Sequence, residues 1–385
     1  MKILIVGSDL NAFLIAKYIK TQSNRHDLYI TTGIKSEDNS YIPVEIKEND
    51  VEAICDFVKY NQIEFTLVTS QIAIINAIAD KFNQEGFLIS APQSEAARVT
   101  FFNSIAKKVM YTLKINTPRF GIFDRENIAI DYIRHVKFPV RIMNDFTLNE
   151  KKYNVYNSFS KAKLALLKIF ENENEKIVVE NYLDLPSIYI YFLTDGYNAL
   201  PLISVERKEW SNFTQIIAPS SKVSEKLING ILKKAVYPLL DDIAKCAGNY
   251  SGIFGLKIIV KDNNFLVLEF YNGFQNYDLQ AFLSLLDEDF LQLFCSVTKN
   301  NGRNYNAVKL KDKYSYTLAV KKSEINEIND DNDYFITEDD ENIIFTTTAT
   351  TLNFAKENLK EYLETVCNKE MYEKIINSTK EELRI

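Results

Sequence analysis

Glycine is scarce in this sequence, with 11 in 385 residues. Glycine lets a backbone approach phosphate closely because no Cβ stands in the way. The chain therefore offers few positions for phosphate-binding loops, and Gly7 alone does not make a dinucleotide fingerprint. Histidine is scarcer still. His26 lies in a polar stretch and His135 beside Arg134, both read as surface residues, and neither has a second histidine near it in sequence. A Ser-His-Asp or Cys-His site has no support. Cys55, Cys246, Cys295 and Cys367 lie far apart with no C-x-x-C spacing. They read as reduced core residues of a cytoplasmic protein, not as disulfides or zinc ligands. No apolar run approaches the roughly 18 residues of a membrane span, and the opening Met1–Gly7 lacks the apolar region and cleavage site of a signal peptide. Basic clusters are also missing. The formal net charge is -7, which excludes nucleic acid and anionic membrane as the main partner.

What remains is an ordinary globular composition, 46% hydrophobic and 25% charged, on a chain long enough for two to four domains. Ile3–Val6 is an apolar run ending at Gly7, which suits a buried parallel strand. Helical spacing follows over Ala12–Ile19. A strand at Leu28–Thr31, a helix at Val51–Tyr60, a strand at Phe65–Val68, a helix at Ile74–Phe82 and a strand at Phe87–Ser90 continue the alternation. This spacing predicts a doubly wound parallel sheet over about 1–100. A helix is expected over 101–116, then a lighter α/β lobe over about 120–182 with a strand at Val140–Met143 and another at Ile177–Val179. Strands at Ile188–Leu193 and Leu200–Val205 precede a long helix at Leu227–Cys246. Phe254–Val260 and Phe265–Phe270 flank Asp262-Asn263-Asn264, a hairpin turn sequence. A last segment, 306–385, begins with a strand at Tyr314–Val320. It crosses the acidic run Asp330–Glu341, read as a solvated loop, then adds a strand at Ile343–Thr347 and one or two helices from Leu352. The alternating Tyr189-Ile190-Tyr191-Phe192 reads as strand packing.

Several short stretches, in order, resemble glycinamide ribonucleotide synthetase (phosphoribosylamine–glycine ligase) of the ATP-grasp superfamily. Met1–Gly7 resembles its opening strand. Gly86–Pro92 resembles the close of its first domain, and Ile115-Asn116-Thr117-Pro118 its "G-I-P-T". Val178–Asp184 resembles its "V-I-E-E-F-L-D" hinge, Val267–Phe270 its "V-I-E-F" metal strand, and Thr346–Met371 its final strand and helices. The resemblance covers nearly the whole chain. It implies an ATP-grasp architecture: an α/β (in part α+β) fold with a Rossmann-like domain at 1–100, ATP-grasp lobes at 101–305 and a small C-terminal α/β domain at 306–385. It also implies ATP and magnesium as cofactors. The family joins glycine to phosphoribosylamine through a glycyl phosphate, which requires positive charge over the phosphates, metal between them and a closed site.

Against that pattern, fold-bearing positions are kept and charge-bearing positions are replaced. The family's "G-x-G-G-R-E-H" corresponds to Gly7-Ser8-Asp9-Leu10-Asn11-Ala12, where Asp9 would repel a phosphate. Gln71 stands where "G-P-E-A-P-L" has a carboxylate. The two phosphate lysines fall on Asn103 and Met143. Among nucleotide-binding positions, Glu180 survives at the hinge, Lys151 matches the loop lysine without its flanking glycines, and Lys208 stands for a lysine before the missing "T-G-P-N-T-G-G-M-G" segment. At the metal strand Glu269 survives. The second ligand falls on Tyr271, a poor magnesium ligand, with Asn272 next to it on the opposite strand face. Asp278 is a further carboxylate in reach of the sequence pattern. No catalytic residue can be assigned.

Two readings follow. In one, the protein is a diverged ligase whose family reaction is impaired or moved to another small-molecule substrate. In the other it is a catalytically inactive ATP-grasp-fold protein that binds a protein partner. Either is compatible with a monomer or a homodimer.

Overall fold

The computed structural model describes residues 1–31, 39–148, 153–171, 175–261, 264–275, 277–301, 307–326 and 334–380. The first sheet is built from β1 (Lys2–Val6), β2 (Asp27–Ile30), β3 (Ile42–Pro43), β4 (Phe65–Val68) and β5 (Ile89–Ser90). All are parallel, in the order β3-β2-β1-β4-β5. Ile3, Leu4, Ile5 and Val6 are fully buried, as expected of a strand with helices on both faces. The order reverses between β1 and β4. That places a topological switch point, where such sheets open a crevice beyond their strand C-termini, at Gly7 and Thr69.

The second sheet is a small lobe: β6 (Phe120–Phe123), β7 (Val140–Asn144), β8 (Tyr153–Tyr156) and β9 (Ile177–Asn181), in the antiparallel order β6-β9-β7-β8. Val140 and Ile142 point into the lobe's own core with Ile177 and Val179. By strand alternation Arg141 and Met143 take the other face.

The third sheet is continuous from the middle of the chain to its last third. It contains β10 (Ser187–Asp195), β11 (Ala199–Glu209), β12 (Phe213–Ala218), β13 (Ser251–Lys261), β14 (Asn264–Asn272), β15 (Tyr314–Lys321), β16 (Phe335–Glu338) and β17 (Asn342–Ala349). Their order is β14-β13-β10-β11-β12-β15-β17-β16. The last segment therefore extends the central sheet through the β12–β15 ladder and carries its own core, where Leu359, Leu363 and Val366 pack on Phe345.

The expected hairpin is present, with Lys261 opposite Asn264; positions 262–263 lie outside the described residues. Other expectations needed correction. The helix foreseen at 74–82 is two, Gln71–Ile75 and Ile78–Glu85, because Ala77 adopts a left-handed conformation, φ +62°. The helix foreseen at 101–116 is present, shorter, as Asn103–Thr112, and a helix that was not foreseen, Ser94–Phe101, precedes it. Phe102 leaves the helical conformation to bridge Phe146. The part of the acidic run that is described is not a plain loop: Phe335–Glu338 is a strand and Asp339–Glu341 a turn bordering a cavity. Cys246 is exposed, whereas Cys55, Cys295 and Cys367 are core residues as foreseen. Among the described residues no helix is long and apolar enough to cross a membrane.

Candidate functional site

Two concave regions among the described residues are candidate sites. The first is a cleft between the small lobe and the β10-β13-β14 face of the central sheet. In the β7–β9 ladder Arg141 stands directly opposite Glu180, so the two side chains share a face, and Arg141 Nε donates to Glu180 Oε1. In the central sheet Tyr189, Lys257 and Glu269 stand opposite one another across β10, β13 and β14. Arg141 crosses the cleft and donates from NH1 to Glu269 Oε1 at 2.5 Å. The other oxygen of Glu269 accepts from Tyr271 OH at 2.5 Å.

A further cation comes from the helix Asn103–Thr112. Lys107 Nζ lies 2.6 Å from Glu180 Oε2 and donates to Thr117 Oγ1 and to the carbonyl of Leu268, each at 2.9 Å. That carbonyl is available because the β13–β14 register shifts between Lys257 and Ile258, leaving Leu268 without a ladder partner. Burial works against the charge on Arg141, but Glu180 and then Glu269 outweigh it and hold the guanidinium above its ordinary pKa. Burial also pulls the Lys107 ammonium below the usual lysine range; Glu180 opposes that and Arg141 adds to it. Arg141, Lys107, Glu180 and Glu269 are each at most 3% exposed. The space left in the cleft is a cavity of about 60 Å³, bordered by Arg141, Tyr153, Glu180, Lys257 and Leu268.

The second feature is a cavity of about 500 Å³ at the switch point. Its walls are the residues just after β1 (Asp9, Asn11), the ends of β4 and β5, the end of β14 (Asn272, Gly273) and the turn Asp339–Asn342. Gly7 must be glycine here, since a Cβ would fall 1.9 Å from Thr69 Oγ1. Asp9 caps the helix Leu10–Gln22. Its Oδ1 accepts from Ala12 N at 2.9 Å and from Thr69 OH at 2.7 Å. A helix N-terminus attracts anions, and in this chain its own carboxylate already occupies that place. Burial, with a contribution from Glu48, raises the Asp9 pKa even though the side chain opens onto the cavity. Among the described residues the lining carries Asp9, Asp339, Asp340 and Glu341 and no lysine, arginine or histidine.

The residues singled out in the sequence distribute as follows. Glu180 and Glu269 come together, joined by Arg141. Asn272 does not join them: its Oδ1 accepts from Tyr250 OH at 3.0 Å and its Nδ2 donates to Gln71 Oε1 at 3.3 Å, so it faces the larger cavity. Lys208 is an exposed residue of β11, beyond the last β10 pair, and borders neither cavity. Lys151 lies outside the described residues. Asp278 is fully buried and held by Arg207 NH2 at 2.8 Å and Tyr191 OH at 2.5 Å. The residues that sequence reasoning passed over are Arg141, Lys107 and Lys257. Arg141 carried a signal, a lone charge inside the apolar run Val140–Met143, because a buried arginine must be paired.

The phosphoribosylglycinamide synthetase N domain matches residues 1–100 and the ATP-grasp (A) domain of the same family matches residues 103–278. The chain belongs to the phosphoribosylglycinamide synthetase family. A phosphoribosylamine–glycine ligase of Caldanaerobacter subterraneus subsp. tengcongensis is 26% identical over 318 residues, 79% of this chain and 76% of that one. The crystal structure of the Thermotoga maritima phosphoribosylamine–glycine ligase superposes with a TM-score of 0.75 at 15% identity, covering 95% of this chain and 97% of that one. The biotin carboxylase domain of Hydrogenobacter thermophilus 2-oxoglutarate carboxylase, solved with MgADP, ADP and bicarbonate, gives 0.67 at 14% identity, covering 95% and 90%. These likenesses establish the ATP-grasp fold.

ATP and magnesium, which the family implies, do not fit the cleft as it stands. Ligand pockets for such molecules run to roughly 300 Å³ or more, against a cavity of about 60 Å³. Glu269 gives one oxygen to a guanidinium and the other to a phenol, and a magnesium ion would have to displace them. Among the described residues no three His, Cys, Asp or Glu side chains cluster as a metal site.

Proposed function

We propose that this chain is a diverged phosphoribosylglycinamide synthetase-family protein in which the ATP-dependent joining of a carboxylate to an amine is impaired. Its open site is the switch-point cavity, which takes a small molecule lacking a phosphate group. The observation that carries this reading is the clasp of Arg141 on both Glu180 and Glu269. It spends on an internal ion pair the two carboxylates that the family resemblance assigns to nucleotide and metal. Met143, on the same strand face as Arg141, has the position of a phosphate lysine and cannot neutralise a phosphate. The acidic lining of the larger cavity supports the second half of the reading, since a phosphate ester there would meet like charge.

The test is turnover. Purified protein is supplied with ATP, magnesium, glycine and phosphoribosylamine generated from ribose 5-phosphate and ammonia, and ADP release is followed. The reading expects no glycine-dependent release above a protein-free control. Sustained glycine-dependent ADP formation would contradict it.

A further inference from the structure

The closed cleft has an unbalanced charge. Lys107, Arg141 and Lys257 face Glu180 and Glu269, three cations against two carboxylates among the described residues. Lys257 is 8% exposed. Glu269 stands opposite it in the β13–β14 ladder but is turned to Arg141. The Lys257 ammonium instead lies over two aromatic rings, 5.5 Å from the Tyr153 centroid and 5.3 Å from that of Tyr189. Burial works against the Lys257 charge, but Tyr189, then Glu269 and Tyr153, outweigh it and hold the ammonium above the usual lysine range, so the cavity is bordered by a charged group. Arg141, 3% exposed, uses Nε and NH1 on the two carboxylates, while its NH2 has no hydrogen-bond partner among the described residues. A buried guanidinium N–H left unmade is costly. Both cations border the same cavity of about 60 Å³, roughly twice the volume share of a water molecule in the liquid.

We propose that this cavity binds one small monovalent anion, a halide or a single carboxylate group, held between Arg141 NH2 and the Lys257 ammonium. NH2 keeps both of its N–H groups, which a halide or a carboxylate oxygen accepts from, with Lys257 acting as a point charge. The cavity is too small for a nucleobase. The site rests on the reading that the cleft is closed to nucleotide, and it assigns to Arg141 and Lys257 a ligand that the ligase reaction does not use.

The test is thermal and urea unfolding of the full chain at constant ionic strength. Sodium gluconate, too large for the cavity, is replaced stepwise by sodium bromide or, in a second arm, sodium formate. The expected result is a saturable rise in stability: at an anion concentration tenfold above Kd the folded-to-unfolded ratio increases about tenfold. Lys257→Met, close in length and uncharged, is expected to remove the saturable component while staying folded. A bromide-soaked crystal is expected to show an anomalous peak within hydrogen-bond distance of Arg141. Saturation by bromide alone assigns a halide site, and saturation by formate alone a carboxylate site. No dependence, or an identical dependence in Lys257→Met, overturns the proposal. ATP turnover would overturn the proposed function, whereas a flat bromide and formate response with no turnover would overturn the anion site alone.

Discussion

Arg141 and Glu269 lie 128 residues apart in the chain, yet the guanidinium NH1 donates to the carboxylate at 2.5 Å across the cleft between the small lobe and the central sheet. This contact ties the two halves of the ATP-grasp architecture together. Removing one member of a buried ion pair strands the other, at a cost of about 3–5 kcal/mol. Arg141→Met is therefore expected to lose about that much in urea unfolding. Adding Glu269→Gln to it is expected to recover part of the loss, because the carboxylate left facing the cleft is then neutral while Glu180 keeps its pairing with Lys107. Arg141→Lys cannot span both carboxylates and is expected to fall between. A single Arg141→Met variant within about 1 kcal/mol of wild type would show that the clasp does not form.

Asp9 gives a pH-dependent prediction. Its folded-state pKa is raised by burial and by Glu48, so the folded protein binds the proton more tightly than the unfolded chain does. The ionised carboxylate thus opposes folding at neutral pH, and the penalty disappears as pH falls through the raised value toward 3.8. Asn caps a helix as well as Asp does. Asp9→Asn is expected to be at least as stable as wild type at pH 7, within about 1 kcal/mol, with the advantage shrinking at acid pH. Comparing the two melting temperatures from pH 7 to pH 4 checks this. An advantage that grows on acidification would refute the environment assigned to Asp9.

Thiol labelling tests the core. Cys55, Cys295 and Cys367 are buried, and burial pushes their pKa values up to about 11, 11 and 12 respectively. The thiolate is the reactive form. In native protein at pH 8 one thiol, Cys246, is expected to react quickly with a disulfide reagent, and four after denaturation. Fast reaction of two or more native thiols would contradict the packing.

Much of the fold was legible in the residues. Ile3–Val6 and Phe65–Val68 are apolar runs bounded by turn residues, and buried parallel strands need no more signal than that. The hairpin announced itself through its asparagines. Short strands were missed where the pattern was weak: β8 (Tyr153–Tyr156) is polar and partly exposed, and β12 (Phe213–Ala218) reads as the remnant of a shortened loop until β15 pairs with it. The candidate site was half legible. Glu180 and Glu269 follow from local motifs. Arg141 acquires meaning only through partners 39 and 128 residues away, and Lys107 through a carbonyl released by a bulge in a distant strand. The acidity of the larger cavity likewise arises from Asp9 and the turn at Asp339–Glu341, brought together only by the fold.

The central claim is that the ion-paired cleft excludes nucleotide, and calorimetric titration of the purified protein with ATP and magnesium tests it most directly. The account predicts no saturable heat at millimolar ATP. A one-to-one isotherm with a Kd below about 1 mM, a binding free energy of about 4 kcal/mol or more, would mean that the lobes part, Arg141 releases Glu269, and the cleft still serves the ligand of its relatives.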